Sequence, residues 1–136
     1  MFSKNSVILI VEDSNGSRAQ LRAELKTLGY VNVLEAENGI RGLQQIEKAE
    51  KSAAPVSLVI SDLNMPEMDG LEFLKRVRGT EHLVQLPFIV VTTNTEAGEV
   101  VKAVNAGASS YLLKPYDIHE LRGSLEEVFK RQRLKF

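Results

Sequence analysis

Five short apolar runs alternate with segments of helical periodicity along this chain, and no other sequence feature constrains the fold as strongly. The runs are rich in β-branched residues, as is typical of strands that are buried on both faces. The predicted strands are residues 7–11, 32–36, 56–60, 88–92 and 110–113. Because strands and helices alternate strictly, we expect a parallel sheet with right-handed crossovers and helices on both faces.

Five helices are predicted from apolar residues that recur every three or four positions. Gly29 and Gly107 are placed to end the first and the fourth helix. Asn38 can cap the second helix, and Asp117 with Glu120 has the spacing of a capping box at the start of the fifth. The predicted apolar faces are Leu21, Leu25 and Leu28; Ile40, Leu43 and Ile46; Leu71, Leu74 and Val77; Val100, Val101 and Val104; and Leu121, Leu125 and Val128.

The expected fold is an α/β three-layer sandwich of the flavodoxin-like (βα)5 kind, with a five-stranded parallel sheet in the order 2-1-3-4-5. Runs 1, 3 and 4 are the most apolar and suit the centre of the sheet, whereas the mixed runs 2 and 5 suit its edges. The chain has 136 residues, enough to bury a core, and shows no internal repeat or boundary signal. We therefore predict one domain over residues 1–136.

Composition excludes several classes of protein. The chain has 17 Lys and Arg against 18 Asp and Glu, so its net charge of -1 gives no global bias toward nucleic acid or an anionic membrane. It has no cysteine, which excludes disulfides and thiolate metal sites. The apolar run 7–11 is too short for a signal peptide or a membrane span. We expect a cytoplasmic protein that binds neither nucleic acid nor membrane directly.

Polar residues follow the predicted strands at one edge of the sheet. Glu12 and Asp13 follow the first strand, Asp62 the third and Lys114 the fifth, and Thr92 ends the fourth. Because the carboxyl ends of parallel strands share one edge, these residues should become neighbours. We expect three carboxylates, one hydroxyl and one ammonium group to converge there.

Three neighbouring acids repel one another unless a cation is present, and a divalent metal would remove that conflict. Oxygen ligands that are partly exposed to solvent favour Mg²⁺. The chain has no glycine-rich turn after the first strand, which argues against a dinucleotide or P-loop site. Beside a metal, Asp62 is the best placed nucleophile for a phosphoryl group, and Lys114 and Thr92 could stabilise that group's oxygens.

Each of these residues also has an ordinary structural explanation when it is taken alone. Asp62 could form a turn, and Glu12 with Asp13 could cap the first helix. Thr92 could satisfy backbone groups at a strand end, and Lys114 could be a solvated loop cation. The placement of all five at one predicted edge favours a functional site.

Four motifs follow one another along the chain: Val11-Glu12-Asp13; Asp62 with Met65-Pro66 and Met68-Asp69-Gly70 behind it; Val91-Thr92; and Lys114-Pro115. In this order they resemble the receiver domain of two-component response regulators. The resemblance covers residues 7 to about 129, and within the family the chain is most similar to single-domain chemotaxis regulators, through residues 35–39, 60–62 and 106–109.

The resemblance implies a role for each site residue. Asp62 would be the phosphoacceptor, and Mg²⁺ would be bound directly by Asp13, Asp62 and the backbone carbonyl of Asn64, with Glu12 reaching it through water. Thr92 and Tyr111 would be a switch pair that changes the face formed by helix 4, strand 5 and helix 5.

It also implies a signal-transduction switch rather than an enzyme. The phosphoryl donor would be a sensor histidine kinase or a phosphotransfer protein, and the output would be a downstream protein target. The chain would be a monomer or a phosphorylation-dependent dimer.

The chain departs from the family pattern at a few positions. Glu12 replaces the commoner Asp of the acid pair, Thr93 stands where a small residue is usual, and Asn94 occupies a variable position beside the site. Glu12 should still allow a water-bridged contact with the metal, whereas Thr93 should narrow access to the phosphoryl group.

Two other functions remain open at this point. The chain could be a receiver cut from a longer regulator or hybrid kinase. It could also be a small Mg²⁺-dependent phosphatase with an aspartyl nucleophile. A phosphatase normally needs a second acid to protonate the leaving group, and Asp69 is better explained as part of the turn.

Overall fold

The computed structural model describes residues 2–93 and 97–133. Its strands are β1 (Ile8–Val11), β2 (Val33–Ala36), β3 (Leu58–Asp62), β4 (Phe88–Thr92) and β5 (Ser110–Leu113). Its helices are α1 (Asn15–Thr27), α2 (Gly39–Lys51), α3 (Gly70–Arg78), α4 (Ala97–Asn105) and α5 (Ile118–Arg133), with a short 3-10 turn at Glu81–Leu83. All strand pairs are parallel, and the sheet order is β2-β1-β3-β4-β5, which confirms the predicted fold.

The sheet separates two hydrophobic cores, because successive side chains of a strand point to opposite faces. Ile8 and Ile10 of β1 face the core that is completed by α1 and α5. Leu9 and Val11 face the other core, which is completed by α2 and α3. The four residues of β1 are fully buried, as expected for a central strand that is covered on both sides. The residues at the carboxyl edge of the sheet are therefore held in place by strands that are buried on both faces.

The predicted bounds of the third strand were wrong by two residues. β3 runs Leu58–Asp62, whereas residues 56–60 were predicted. Val56 is buried before the strand begins, and the amide of Ser57 donates to Val7, so the apolar run includes part of the approach to the sheet. Asp62 is therefore the last residue of β3, paired with Val91, rather than the first residue after the strand.

The predicted apolar faces of α2 and α4 were wrong in part. Ile40 is 40% exposed, and Val101 and Val104 are about half exposed, at 52% and 51%. Small residues take their place: Gly42 lies against the Phe73 ring and Ala103 is fully buried. Both helices use small side chains at these positions to pack closely, which apolar periodicity does not reveal.

The helix ends follow the predicted capping residues. The side chain of Asn38 accepts a hydrogen bond from the Arg41 amide at 2.9 Å. Asp117 and Glu120 form the reciprocal capping box, with each side chain accepting from the other's amide, at 2.8 and 3.3 Å. Gly107 follows α4 with a φ of 101°. The hydrogen bonds at Asn38 and at Asp117 with Glu120 fix where α2 and α5 begin, with two residues between β2 and α2 and four between β5 and α5.

Candidate functional site

Three charged side chains meet at the carboxyl edge of the sheet. The Lys114 Nζ lies 3.0 Å from Oδ2 of Asp62 and 3.4 Å from Oε2 of Glu12. Their side chains are only 22%, 11% and 9% exposed, respectively. A partly buried ammonium group thus bridges two partly buried carboxylates that are far apart in the sequence.

Strand register places these residues side by side. Val11 is aligned with Ser61, so Glu12 and Asp62 leave neighbouring strands at the same level. On the other side of the site, the Lys114 amide donates to the Thr92 carbonyl at 2.8 Å, one step beyond the last pair of β4 and β5. The backbone of the parallel sheet therefore sets the distances within the site.

The two carboxyl groups of the acid pair have pKa values that are shifted in opposite directions. Burial, a hydrogen bond with Asp62 and the charge of the Asp62 carboxylate together raise the pKa of Glu12 to about 7, although the charge of Lys114 acts to lower it. Burial would also raise the pKa of Asp62, but hydrogen bonds from Glu12, the Asn64 amide and Lys114 outweigh burial and lower it. Asp62 is therefore ionised at neutral pH, whereas Glu12 is partly protonated.

The ammonium group of Lys114 stays charged beside this pair. Burial would lower the pKa of Lys114, but the hydrogen bond and charge of Asp62 and the charge of Glu12 raise it. The Asn64 amide donates to Oδ1 of Asp62 at 3.1 Å, so each oxygen of that carboxylate has a donor. The site thus presents an oriented carboxylate with a cation beside it.

The loop that follows Asp62 is tied back to the sheet. The Gly70 amide donates to the Leu63 carbonyl at 2.9 Å. Asp69 caps α3 by accepting from the Glu72 amide at 2.9 Å. The Asp69 carboxylate therefore has a structural role at the start of α3, which agrees with its interpretation as part of the turn.

The other predicted site residues lie around this cluster. Thr92 ends β4 and is fully buried. Tyr111 lies on the edge strand β5 opposite Val90, and 47% of it is exposed. Thr93 is exposed directly after β4, and Asn94 lies outside the described residues.

Asp13 does not join Glu12 and Asp62 as the sequence led us to expect. Asp13 is exposed, whereas Glu12 is 7% exposed and belongs to the buried cluster. Within residues 2–93 and 97–133, no group of three His, Cys, Asp or Glu side chains is arranged to hold a metal ion. The expected convergence of three acids is thus reduced to a pair.

Comparison with known proteins identifies the family. Residues 8–126 match the response regulator receiver domain. The chain belongs to the family of response regulator receiver domains. This receiver is 36% identical to the chemotaxis protein CheY1 of Helicobacter pylori, over 89% of this chain and 94% of that protein. It is 39% identical to the CheY homolog of Campylobacter jejuni, over 89% of this chain and 90% of that protein.

A solved structure agrees with these relatives. The chemotaxis response regulator CheY4 of Vibrio cholerae matches the receiver with a TM-score of 0.80 and 32% identity, over 90% of this chain and 98% of that one. The predicted resemblance to receiver domains, and within them to the chemotaxis regulator CheY, is thereby confirmed.

In the part of the receiver that the structure describes, no helix is both long enough and apolar enough to cross a membrane.

Two further residues lie near the site and were not predicted from the sequence. Arg18 on α1 donates to the Glu12 carbonyl at 2.6 Å and to the Glu35 carboxylate at 3.3 Å. Tyr116, two residues after Lys114, donates its hydroxyl hydrogen to Glu24 at 3.1 Å. Neither residue carries a sequence signal, because an arginine on a polar helix face and an aromatic residue in a loop usually have no special role.

Proposed function

We propose that this receiver is a phosphorylation-operated switch in which Asp62 accepts a phosphoryl group from a sensor histidine kinase or a phosphotransfer protein. The observation that carries the proposal is the 3.0 Å contact between Lys114 Nζ and Oδ2 of Asp62. That contact sets a cation beside an ionised carboxylate at the solvent edge of the sheet. A carboxylate in this setting can attack phosphorus and form an acyl phosphate, while the bond from phosphorus to the donor's leaving group breaks and that group leaves with the bonding electrons.

Each neighbouring group has a role in that transfer. Lys114 would stabilise the negative charge on the oxygens of the phosphoryl group. Thr92, buried at the end of β4, would hydrogen-bond one of these oxygens. Glu12, whose pKa is raised to about 7, would lose its proton when a stronger cation arrives. The Asn64 amide keeps the Asp62 carboxylate oriented.

The donor groups fit Mg²⁺ in their chemistry. The single positive charge of Lys114 does not balance the two carboxylates, since the pKa of Glu12 remains raised beside it. We propose that Asp13, Asp62 and the Asn64 carbonyl hold the ion, with Glu12 reaching it through water. Asp13 is the exposed member of this proposed ligand set. Bound Mg²⁺ would neutralise charge on the phosphoryl oxygens.

The output is proposed to be a change in the surface formed by α4, β5 and α5. Thr92 is buried and Tyr111 is half exposed, so a hydroxyl drawn toward the phosphoryl group could give the Tyr111 ring room to move inward. Val104, Tyr111 and Leu113 line one groove on this surface, which would suit a protein target or a second phosphorylated copy.

The relatives support the pathway to which we assign this receiver. Those compared above are named as chemotaxis proteins, so we propose that the downstream target belongs to a chemotaxis-like signalling system. We further propose that residues 1–136 act as one receiver unit, because the family match spans residues 8–126.

Labelling by a small phosphodonor tests the proposal. With acetyl phosphate and Mg²⁺, we expect the wild-type protein to acquire an acid-stable, base-labile phosphoryl group and Asp62→Asn to acquire none. Asp69→Asn is the matched control, since asparagine also caps a helix well and this residue lies outside the charged cluster. Normal labelling of Asp62→Asn would overturn the proposal. Repeated hydrolysis of added phosphomonoesters would instead favour a phosphatase.

A further inference from the structure

Tyr116 connects the loop after Lys114 to helix α1. Its hydroxyl donates to Oε1 of Glu24 at 3.1 Å, across 92 residues of sequence. Its ring packs against the core between the sheet, α1 and α5. Burial and the Glu24 carboxylate raise the pKa of Tyr116, so the phenol remains a hydrogen-bond donor. The loop is thereby anchored to a second element of the fold.

The contact lies between two other fixed points of the same loop. On one side, the Lys114 amide is bonded to the Thr92 carbonyl at 2.8 Å. On the other side, the capping box of Asp117 and Glu120 sets the first turn of α5. The Tyr116 hydroxyl therefore ties the middle of the short segment between β5 and α5 to α1.

Tyr116 also shares a small cavity with the charged cluster. Its side chain lines a cavity of about 20 Å³ together with Glu12, Asp62 and Lys114. A cavity this small leaves little free space, so movement of the Tyr116 ring would change the space that Glu12, Asp62 and Lys114 also line. The position of the ring and the reach of the ammonium group are thus physically linked.

We propose that Tyr116, held by Glu24, is a positioning residue that sets the reach of Lys114 toward Asp62. This inference rests on the proposed phosphoacceptor function of Asp62. The Lys114 ammonium must lie where negative charge develops on the phosphoryl oxygens, and small errors in such placement are costly. Loss of the Tyr116 hydroxyl should therefore slow phosphorylation without removing any group that contacts the phosphoryl donor.

The first test compares two tyrosines that lose the same atom. Tyr116→Phe should lower the rate constant for labelling by acetyl phosphate with Mg²⁺ by about 3- to 10-fold. Tyr30→Phe is the matched control, because Tyr30 is fully buried and donates to the Phe2 carbonyl at 3.0 Å. Tyr30 precedes β2, at the opposite end of the sheet from Lys114. Its variant should lose stability but keep the wild-type labelling rate.

A second set of variants tests whether the effect passes through Glu24 and Lys114. Glu24→Gln keeps an acceptor oxygen and should retain the wild-type rate, whereas Glu24→Ala should match Tyr116→Phe. In a Lys114→Ala background, labelled over a longer time, Tyr116→Phe should cause no further loss. A merely structural role would lower stability in each variant without this dependence on Lys114.

The outcomes separate the two proposals. If the wild-type protein is labelled and Tyr116→Phe is labelled at the same rate, the positioning role is wrong and the phosphoacceptor function stands. A further loss in the Lys114→Ala background would also overturn it. If the wild-type protein is not labelled at all, the phosphoacceptor function itself fails.

Discussion

The backbone of Asp62 occupies the space in which a side chain at Gly70 would begin. A Cβ atom on Gly70 would stand 2.9 Å from the Asp62 carbonyl carbon and 2.7 Å from the Cα of Leu63. Real Cβ atoms do not approach backbone so closely, and the hydrogen bond from the Gly70 amide to Leu63 prevents a simple shift. The glycine that starts α3 thus allows the helix to begin directly against the strand end that carries Asp62.

Gly70→Ala should therefore damage both the fold and the site. We expect it to lower the free energy of unfolding by about 2 to 4 kcal/mol, because the clash is with backbone and cannot be relieved by a side-chain rotation. Urea unfolding followed by circular dichroism would measure the loss. Labelling of the folded fraction by acetyl phosphate should also slow, since Asp62 must move to make room.

Gly123→Ala is the control for this substitution. Gly123 is exposed within α5, and a Cβ atom there would meet nothing within 4 Å. Alanine should stabilise the helix by about 0.5 to 1 kcal/mol and leave labelling unchanged. If both glycine variants were equally stable, close packing at Gly70 would not be the reason for glycine at that position.

The fold was predictable because its signal is local and repeated. Alternating apolar runs and helical periodicity specify a parallel sheet, and a parallel sheet places the residue after each strand at one edge. That rule alone brings Glu12, Asp62 and Lys114 together. The same rule does not predict burial, so it did not show that Asp13 is exposed while Glu12 is buried.

Other features could not be predicted because they depend on pairs of distant residues. The contact of Tyr116 with Glu24 joins residues whose separation carries no periodic signal. The exposure of Val101 and Val104 depends on how closely Ala103 lets α4 approach its neighbours. Apolar periodicity shows which face of a helix is apolar. It does not show whether small residues, rather than the larger apolar ones, make the closest contacts with neighbouring elements.

The raised pKa of Glu12 predicts a specific dependence of stability on pH. Its pKa is about 7 in the folded protein, above the ordinary value of 4.5, so the folded state binds this proton more tightly than the unfolded state. The stabilisation from Glu12 is therefore complete below about pH 4.5 and is lost as the pH rises through about 7. Stability should fall over that window in metal-free buffer.

Glu12→Gln should remove this dependence. Urea unfolding in EDTA at about pH 5 and about pH 8 should show a decrease for the wild-type protein that exceeds that of the variant by about 1 to 3 kcal/mol. The same proton should be released when Mg²⁺ binds, so affinity for the ion should rise with pH over this range. Equal decreases in both proteins would show that Glu12 is not the group that titrates.

Lys114→Met should separate metal binding from phosphoryl transfer. Removing the ammonium group leaves the Glu12 and Asp62 carboxylates without their neighbouring cation, so Mg²⁺ should bind several-fold more tightly. Labelling by acetyl phosphate should nevertheless fall by about 100-fold, because a group that stabilises the transferring charge is lost. Calorimetric titration with Mg²⁺ and the labelling assay would measure the two effects separately.

Lys102→Met is a suitable control for the change in net charge. Lys102 lies on α4, is 63% exposed, and pairs with Glu99 at 3.8 Å. Its substitution should change neither Mg²⁺ affinity nor the labelling rate by more than about twofold, because exposed pairs of this kind contribute little. A similar fall in labelling for both lysines would point to a general effect of charge.

Ala53→Gly should stabilise the protein at a point unrelated to the site. The chain turns after α2 with Ala53 in the left-handed region, at a φ of 62°. The Ala54 amide donates to the Ala49 carbonyl and the Ala53 amide to the Glu50 carbonyl, both at 3.2 Å, which is the bonding pattern of a Schellman motif. Glycine adopts this conformation without the strain that alanine carries, so the free energy of unfolding should rise by about 1 kcal/mol.

Ala54→Gly tests whether conformation or simple flexibility explains the result. Ala54 has no positive φ, so glycine there adds freedom to the unfolded chain and should lower stability by about 0.5 kcal/mol. Urea unfolding of both variants, with acetyl phosphate labelling as a check on the site, would make the comparison. Because α2 ends at the edge of the sheet opposite Asp62, neither variant should change the labelling rate. Destabilisation by Ala53→Gly would show that the left-handed turn costs the native chain little.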